Sequence, residues 1–355
     1  MTLKIGIIGC GRAAEQLHLP AIEKHPHLAV VAASDTQKNQ LEKVADAFGI
    51  QHRYTDFQLL IEQANIDIAA VCVPVQFHHE IAKCALMAGK HLLIEKPLTL
   101  TLAEADELIE IAEKSRVKIL VGFNLRRHRL IQAAKAMIAA GRLGKITAIR
   151  SQWTSAIRYR QELPAWRSQR KLGGGALFEI AVHHFDLWRC LTGSEITEIC
   201  AHSGSQNFPD ETAAVTAAVG GIVASGVFSE QTADHNEIEI IGSKGRLRVN
   251  LFRFDGLEFF PIDSPPGGIG QKVNEMVNFI KALPTGIAIV RQGGDFLNSY
   301  YNEWDYFSRC IRENLAVDCG LKDGRASLQT VLTAIKSTHS RKVELMQKTA
   351  AEDIV

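Results

Sequence analysis

Short apolar runs alternate with amphipathic segments over the first third of the chain. The runs predict six strands at residues 3–8, 28–34, 52–54, 68–73, 91–94 and 117–123. The segments between them have the length and pattern of helices, notably at 37–48, 57–62, 79–88 and 101–114. Strands that alternate with helices at this spacing predict a doubly wound parallel sheet.

The pattern changes in the second part of the chain. A strand at 145–155 and successive strands at 196–201, 212–219, 222–230, 237–242, 245–250 and 252–260 predict a large, open, mostly antiparallel sheet. Hairpin turns are expected at Gly220-Gly221 and Ser243-Lys244. Helices are predicted at 126–140, 176–191, 272–282, 298–313 and 323–342, and a Pro- and Gly-rich loop at 261–268.

These patterns predict an α/β fold class with two domains. The first domain is predicted to span residues 1–124 and to contain the parallel sheet, and the second is predicted to span residues 125–355 and to be an α+β domain that contains the large sheet. The predicted helices cover only one face of the large sheet. Such a sheet commonly buries its other face against another subunit, so we expect a homodimer or homotetramer.

Composition excludes several classes of partner. A formal net charge of +1 on 355 residues provides no general attraction for nucleic acid or an anionic membrane. The longest apolar stretch, 213–224, is divided by Gly220-Gly221 into two strand-length halves, so we expect no membrane span. Seven scattered cysteines and a start directly in a strand favour a cytoplasmic protein.

The first strand ends in the glycine turn Gly9-Cys10-Gly11-Arg12-Ala13-Ala14. Gly9 allows the tight turn, Gly11 lets a pyrophosphate approach the backbone, and Ala14 permits close packing of helix on strand. The start of the following helix offers N–H groups to phosphates. The second strand ends in Asp35, whose carboxylate suits both adenine-ribose hydroxyls and repels a 2′-phosphate, which favours NAD over NADP. Asp35 could equally cap the next helix.

Residues 90–98 contain the strongest candidate for chemistry. A buried strand there ends in Glu95-Lys96-Pro97, which places a lysine where open α/β sheets bind ligands. The alternative is a strand-end turn with a solvated lysine. Pro74 ends the fourth strand, and His78 either touches the nicotinamide ribose or belongs to a helix start.

The second domain adds a helix that begins after Gly173-Gly174-Gly175. In an α-helix Glu179, His183 and Asp186 share one face. We assign no metal, because zinc sites usually gather more His or Cys than this set provides. The loop 158–171 holds several arginines, including Arg167, against a single acid, and it could close over an anionic or polyhydroxy ligand or remain exposed. The basic run 126–129 is predicted to be a solvated helix start or a contact to cofactor or substrate.

In the order of its motifs the chain resembles the glucose-fructose oxidoreductase / inositol dehydrogenase (Gfo/Idh/MocA) family of NAD(P)-dependent oxidoreductases. The resemblance rests on the glycine turn, Pro74 with His78, Ala88-Gly89-Lys90-His91, Glu95-Lys96-Pro97, Gly122-Phe123-Asn124, Gly173 to Leu177, and Glu179 to Asp186. Two positions depart from the family pattern, since Glu179 replaces an aspartate and Ala181 replaces a glycine. The longer acid could place substrate differently.

The resemblance implies that residues 1–124 are a dinucleotide-binding Rossmann domain and that residues 125–355 are a domain for substrate binding and oligomerisation. It implies hydride transfer between NAD and a secondary alcohol or ketone of a sugar, inositol or sugar derivative. It implies catalytic roles for Lys96, His183 and Glu179, and a Lys96–Pro97 peptide that is often cis in relatives. We expect the cofactor to contact Gly9, Gly11, Arg12, Ala13, Asp35, Pro74, His78, Glu95 and Lys96. We expect a small, polyhydroxylated substrate to contact Lys96, Asn124, Arg167, Glu179 and His183. The alternatives are a dinucleotide-binding regulator without turnover and a reductase of a non-sugar carbonyl or imine.

Overall fold

The computed structural model describes residues 2–160, 162–264 and 269–347. Its first sheet is parallel throughout. Its strand order is β3-β2-β1-β4-β5-β6, the order of a six-stranded Rossmann sheet. The strands are β1 Leu3–Ile8, β2 Leu28–Ser34, β3 His52–Tyr54, β4 Ile68–Val71, β5 His91–Glu95 and β6 Ile119–Gly122. The predicted parallel sheet is confirmed.

Helices follow most of these strands. A π-helical turn at Ala14–His18 continues into α1, and the regular helices are α1 Leu19–Glu23, α2 Lys38–Ala47, α3 Phe57–Gln63, α4 His78–Met87 and α5 Leu102–Glu113. Strands β4 and β5 are buried along almost their full length because helices cover both faces of a parallel sheet. Helix α5 begins with a capping box in which Thr101 and Glu104 bond each other's backbone N–H groups.

The second sheet has eight strands in the order β13-β12-β11-β7-β10-β9-β8-β14. All neighbours are antiparallel except β7 and β10. The strands are β7 Ile146–Thr154, β8 Ile196–Gly204, β9 Thr212–Val219, β10 Ile222–Ser229, β11 His235–Gly242, β12 Gly245–Asn250, β13 Leu257–Pro261 and β14 Glu344–Leu345. Both predicted hairpins are present, since Ile222 pairs with Val219 and Gly242 with Gly245.

The remaining helices are α6 Arg129–Ala139, α7 Ile157–Arg160, α8 Val182–Thr192, α9 Ile269–Arg291, α10 Gly294–Arg312 and α11 Leu321–Ser340. Helix α8 packs on the second sheet, where Phe185 meets Phe228 at 5.8 Å between ring centroids. The indole N–H of Trp188 donates to Ser151 Oγ at 2.8 Å, and this anchors α8 to β7.

Two local predictions differ from the structure, and a third lies partly outside the described residues. The predicted helix 126–140 is interrupted at His128, whose extended backbone lets its ring accept from Leu130 N and cap α6. Strand β13 begins at Leu257 and not at residue 252, because the chain turns tightly at Gly256, where Asn250 N donates to Gly256 O. Residues 265–268 of the predicted loop 261–268 lie outside the described residues.

The chain forms two compact units, residues 1–127 with 297–328 and residues 128–296 with 329–355. The predicted second domain, 125–355, includes the segment 297–328, which the structure groups with the first unit. Within that unit Arg126 Nη2 donates to Asp323 Oδ1 at 2.9 Å, and Asn124 Nδ2 donates to Ser299 Oγ at 2.8 Å. Among the described residues, none of the helices combines the length and the apolar character that a membrane span requires.

Candidate active site

The glycine turn after β1 has the geometry that a dinucleotide site needs. Gly9 has a φ of +93°, and a Cβ there would lie 2.7 Å from Val73 Cγ1, so only glycine fits. A Cβ at Gly11 would meet no described atom within 4 Å. The space in front of Gly11 is therefore open, as the approach of a pyrophosphate to the backbone requires.

The helix that follows this turn starts at Arg12 and includes Ala13. Arg12 Nε donates to Gln16 Oε1 at 3.0 Å on the helix surface. The first backbone N–H groups of a helix have no partner within the helix and carry its positive dipole end. The helix predicted to follow the glycine turn is thus present directly after Gly11.

Asp35 holds the glycine turn together at the end of β2. Its Oδ2 accepts from Cys10 N at 2.8 Å, and its Oδ1 accepts from Gln37 N at 2.8 Å. Asp35 is partly exposed, and each carboxylate oxygen can accept a further hydrogen bond. The cap-like role and the ribose role foreseen for Asp35 are therefore compatible, and the residues of this unit fit NAD.

His78 is the first residue of α4, and a helix start was one of its two predicted roles. The ring is 1% exposed, with Nε2 2.9 Å from Val73 O and Nδ1 3.0 Å from Pro97 O. Both ring nitrogens thus face backbone carbonyls, and a neutral imidazole donates to one of them, which places the ring between the loop after β4 and the loop after β5. The predicted contact with the nicotinamide ribose stays a prediction. Pro74 lies at the start of the same loop, before a 3-10 turn at Val75–Phe77.

The Glu95-Lys96-Pro97 turn is built around a buried carboxylate. Glu95 Oε1 lies 2.8 Å from His18 Nε2, and Glu95 Oε2 accepts from Lys96 N at 3.1 Å. Burial disfavours the charge of Glu95, but the hydrogen bond from His18 and then the charge of Lys96 outweigh burial and lower the pKa of Glu95. Glu95 is 7% exposed and bonded inside the protein, so the structure gives it a role in holding Lys96 where a cofactor contact was predicted.

Lys96 itself is partly exposed, and the Lys96–Pro97 peptide is cis, as the family resemblance implied. Gly122 packs against the preceding acid, since a Cβ there would lie 3.3 Å from Glu95 Cα. The absence of a side chain at Gly122, at the end of β6, therefore leaves space for Glu95.

Asn124 was predicted to contact substrate, and the basic run 126–129 to be a solvated helix start or a contact to cofactor or substrate. Asn124 is 0% exposed and its amide donates to Ser299 Oγ, and its contact with substrate stays a prediction. Arg126 is 6% exposed, and Arg127 pairs with Asp318 and lies 3.5 Å from the Tyr306 ring centroid. Arg126 and Arg127 therefore hold the segment 297–328 instead of forming a solvated helix start.

In the second unit, the three glycines fix the entry to the candidate catalytic helix. Gly173 and Gly175 have φ values of +86° and +105°. A Cβ at Gly174 would overlap the backbone carbonyl of Arg167 and lie 2.9 Å from Trp166 O. The glycine run is thus needed where the arginine-rich loop crosses the chain.

The helix after these glycines is not α-helical throughout. Leu177–Ala181 forms a π-helical turn that precedes α8. Glu179 lies in the wide turn, whereas His183 and Asp186 lie in the regular helix. The expected single face of an α-helix therefore applies to His183 and Asp186, and Glu179 is offset from it. Wide turns of this kind are frequent at functional sites.

Glu179 belongs to a buried charge network. Arg167 Nη2 lies 2.8 Å from Glu179 Oε2 and 2.7 Å from Glu230 Oε1. Arg158 Nε donates to Glu230 Oε2 at 2.9 Å. Burial opposes the charge of Arg167, but Glu179 and Glu230 outweigh it and raise the pKa of the guanidinium. The arginines of the loop are thus balanced by acids from elsewhere in the chain, in part by Asp210, which accepts from Arg170 Nη2 at 3.0 Å.

His183 lies against an aromatic wall. The ring is 5% exposed and its centroid is 5.2 Å from that of Trp153 on β7. The neighbouring His184 bonds Asn236 Oδ1 at 3.0 Å, and burial lowers its pKa to about 4. His184 is accordingly structural. Within the described residues, no three His, Cys, Asp or Glu side chains are grouped so as to hold a metal ion.

Sequence reasoning missed four residues that contact these groups, namely His18, Trp153, Glu230 and Trp304. Trp153 alternates with polar residues at the end of a predicted strand, which is a usable signal for a site wall. His18, Glu230 and Trp304 act through partners far along the chain, and no local pattern marks them.

Comparison with known proteins agrees with this arrangement. The family "Oxidoreductase family, NAD-binding Rossmann fold" matches residues 3–123, and "GFO/IDH/MocA C-terminal domain" matches residues 131–248. Myo-inositol 2-dehydrogenase of Thermotoga maritima is 29% identical over 262 residues, 71% of this chain and 76% of the relative. Inositol 2-dehydrogenase of Rhizobium meliloti is 25% identical over 318 residues, 84% of this chain and 93% of the relative.

Solved structures share the fold over almost the whole chain. Levoglucosan dehydrogenase in complex with NADH and L-sorbose has a TM-score of 0.84 at 21% identity, covering 98% of this chain and 100% of that one. Scyllo-inositol dehydrogenase of Lactobacillus casei with NAD(H) and scyllo-inositol has a TM-score of 0.75 at 24% identity, covering 98% and 99%. With both of its sequence domains matched, the chain belongs to the Gfo/Idh/MocA family of oxidoreductases and carries that family's NAD-binding Rossmann domain.

Proposed function

We propose that this protein is an NAD-dependent dehydrogenase or reductase that interconverts a secondary alcohol and a ketone on a neutral sugar, inositol or sugar derivative. The single observation that carries the proposal is the Lys96 turn, in which a partly exposed lysine follows a carboxylate that is fixed by two hydrogen bonds. Relatives named as inositol dehydrogenases and as a dTDP-sugar 3-reductase support the class of substrate.

We propose that residues of the first unit hold the cofactor. Gly9 and Gly11 with the helix start at Arg12 and Ala13 would receive the pyrophosphate, and Asp35 would accept the adenine-ribose hydroxyls. A carboxylate at Asp35 repels a 2′-phosphate, which is why we propose NAD. When bound, the nicotinamide accepts hydride from the substrate carbon or returns it.

The chain's own residues manage the proton and the charge. We assign His183 as the general base, because an imidazole titrates near neutral pH and can take the hydroxyl proton as hydride leaves the adjacent carbon. The ammonium of Lys96 would stabilise the negative charge that develops on the substrate oxygen. Glu179, held by Arg167, would accept hydrogen bonds from neighbouring substrate hydroxyls.

The charge network in the second unit bears on substrate charge. The arginine-rich loop hinted at a carboxylate or phosphate on the substrate when only its sequence was considered. In the structure Arg158, Arg167 and Arg170 are each paired with a carboxylate. These ion pairs largely neutralise the three arginines inside the protein, so we propose a neutral polyhydroxylated substrate.

The cofactor half of the proposal is tested with Gly11→Ala. The new methyl group would meet no described atom within 4 Å, so the fold should tolerate it, while it occupies the space that the pyrophosphate needs. NADH binding, followed by fluorescence titration, should weaken by at least about 100-fold, a loss of roughly 3 kcal/mol. Gly204→Ala is the matched control, because its added Cβ also meets nothing described within 4 Å. Equal NADH affinity in both variants would refute the assigned site.

The catalytic half is tested by NADH absorbance with inositols, levoglucosan, sugars and uronates as substrates. On the substrate that responds, His183→Ala should lower kcat by roughly 10²–10⁴-fold, the span of general acid–base catalysis, and leave NADH affinity nearly unchanged. An unaltered kcat removes His183 from the mechanism. Tight NADH binding with no turnover on any substrate would favour a regulatory, non-catalytic role.

We also propose that the protein is a homo-oligomer and is cytoplasmic. Val223 and Val227 are 63% and 43% exposed on one face of β10, near the middle of the second sheet. We propose that a second copy covers this face in a homodimer or homotetramer, which light scattering after gel filtration would detect. All seven cysteines are free thiols, which supports a reducing, cytoplasmic location.

A further inference from the structure

A buried polar cluster lies behind the Lys96 turn in the first unit, and the mechanism above does not use it. Its members are His18 in the π-helical turn, Glu95 at the end of β5, and Tyr300, Glu303 and Trp304 of the segment 297–328. Glu303 is 1% exposed and Trp304 is 0% exposed. Such a group of polar side chains costs stability unless its members bond one another, so its bonding pattern is informative.

Three hydrogen bonds connect this cluster in series. Trp304 Nε1 donates to His18 Nδ1 at 3.1 Å, and His18 Nε2 lies 2.8 Å from Glu95 Oε1. Glu95 Oε2 then accepts from the backbone N–H of Lys96 at 3.1 Å. An indole N–H can only donate, so Nδ1 of His18 accepts and the proton lies on Nε2, facing the carboxylate.

The imidazole of His18 is also fixed by its neighbours. It is 0% exposed, and the rings of Tyr300 and Trp304 meet it edge-on with centroid distances of 5.1 and 5.9 Å. A ring enclosed in this way and bonded at both nitrogens has one orientation. The carboxylate of Glu95 therefore has one orientation as well.

This carboxylate fixes the position of the Lys96 backbone. A lysine side chain has many rotamers, and the position of its ammonium depends on where its backbone is held. Displacement of a reacting group by about 1 Å can cost 10²-fold in rate. The bond from Lys96 N to Glu95 Oε2 removes one source of such displacement.

We propose that His18 is a positioning residue for the reaction, acting with Trp304 to orient Glu95 and, through it, the backbone of Lys96. The inference rests on the proposed function in one respect, the role of Lys96. His18 contacts neither cofactor nor substrate in this scheme, because its ring is fully buried and both nitrogens are bonded within the first unit.

Two isosteric variants separate positioning from packing. His18→Gln keeps an N–H donor at the reach of Nε2 and so retains the bond to Glu95. His18→Asn keeps an acceptor near Nδ1 for Trp304 and loses the donor to Glu95. We expect His18→Asn to lower kcat by about 10–100-fold, as a displaced catalytic group would. His18→Gln should stay within about threefold of wild type, and NADH affinity should be similar in both.

The dependence of kcat on pH gives a second measurement, which a simple packing defect would not change. The titratable groups around the His18–Glu95 pair are Cys72, Lys96, Tyr300 and Glu303. Because His18 lowers the pKa of Glu95, its loss should shift the acid limb of kcat against pH upward in His18→Asn. The limb should stay in place in His18→Gln, whose amide still bonds the carboxylate.

A double-mutant test distinguishes this inference from the proposed function. If His18 acts through Lys96, the effect of His18→Asn should vanish in a Lys96→Ala background. Unchanged turnover in Lys96→Ala alone refutes the assigned role of Lys96 and with it the proposed mechanism. Impaired Lys96→Ala together with full activity and an unmoved acid limb in His18→Asn refutes only the positioning role.

A final variant covers the case in which His18→Asn does not fold. Trp304→Phe retains an aromatic ring and removes only the donor that sets the imidazole tautomer. We expect kcat to fall in the same direction as for His18→Asn, by a smaller factor. Wild-type kcat in a folded Trp304→Phe protein, together with equal losses in the two His18 variants, would overturn the inference.

Discussion

Two carboxylates, Glu95 in the first unit and Glu179 in the second, are held by opposite means. Glu95 accepts from the imidazole of His18 and a backbone N–H, and its partners are fixed by burial among aromatic rings. Glu179 accepts from a guanidinium that Glu230 shares. The first arrangement depends on the direction of hydrogen bonds, and the second depends on the balance of charge. Substitutions that preserve shape should therefore separate the two.

Glu230→Gln should have the largest effect, because it disturbs the charge balance around Glu179. Glu230 has a side chain that is 1% exposed and compensates both Arg158 and Arg167. Loss of one partner from a buried ion pair leaves an uncompensated charge and costs about 3–5 kcal/mol. We expect the free energy of unfolding in urea to fall by that amount.

The control for this prediction is Glu113→Gln, which breaks the exposed pair between Lys322 and Glu113 at 3.3 Å. Exposed pairs of this kind contribute little to stability. If Glu230→Gln unfolds at the same urea concentration as Glu113→Gln, the charge network does not stabilise the second unit. The contrast between the two carboxylates would then lose its energetic basis.

The sequence predicted the regular parts of both units because they are encoded locally. Apolar runs such as Leu92-Leu93-Ile94 and turns such as Gly220-Gly221 identify strands and hairpins without knowledge of distant partners. Asp35 was likewise predictable from its position after a strand. The pairing of His18 with Glu95, 77 positions away, has no such local mark. The same holds for Arg167 with Glu230, 63 positions apart.

The sequence led to some inaccurate assignments because the distant partners of charged residues are not visible in it. Arginine-rich segments were judged against the acids of their own loop, whereas folding supplied Glu230, Asp210 and Asp323 from elsewhere. Both π-helical turns escaped detection, since apolar spacing does not distinguish them from α-helix. Candidate residues such as Asn124 were assigned from motif position alone, and their burial only became apparent in the folded chain.

A smaller effect should come from Glu303→Gln, which probes the surroundings of Glu95. Burial and then the charge of Glu95 raise the pKa of Glu303 to about 8 from an ordinary 4.5. The folded protein therefore keeps a proton on Glu303 between pH 4.5 and 8, whereas the unfolded chain releases it. Stability linked to this group is fully present below pH 4.5 and is lost as the pH rises toward 8.

Glutamine removes this titration and preserves the shape of the side chain. Relative to wild type, Glu303→Gln should gain stability from pH 5 to pH 8, by on the order of 3 kcal/mol at 1.36 kcal/mol per pKa unit. Urea unfolding at both pH values measures the gain. The exposed Glu110→Gln serves as the control and should show no such trend. A flat difference for Glu303→Gln would mean that the surroundings of Glu95 tolerate a second negative charge.

The smallest expected effect comes from Gly174→Ala, which tests how the arginine-rich loop is seated without changing any charge. A Cβ at Gly174 would overlap the backbone carbonyl of Arg167 and approach Trp166 O, so the loop must shift. Overpacking of this kind costs about 1–3 kcal/mol, and Gly204→Ala again provides an unhindered control. Because Arg167 moves with its own backbone, its bond to Glu179 should lengthen, and KM should rise more than kcat falls if Glu179 orients substrate hydroxyls. An unchanged KM in a destabilised protein would instead mean that the Arg167–Glu179 pair has only a structural role. Glu95 would then position a reacting group, whereas Glu179 would only stabilise the fold.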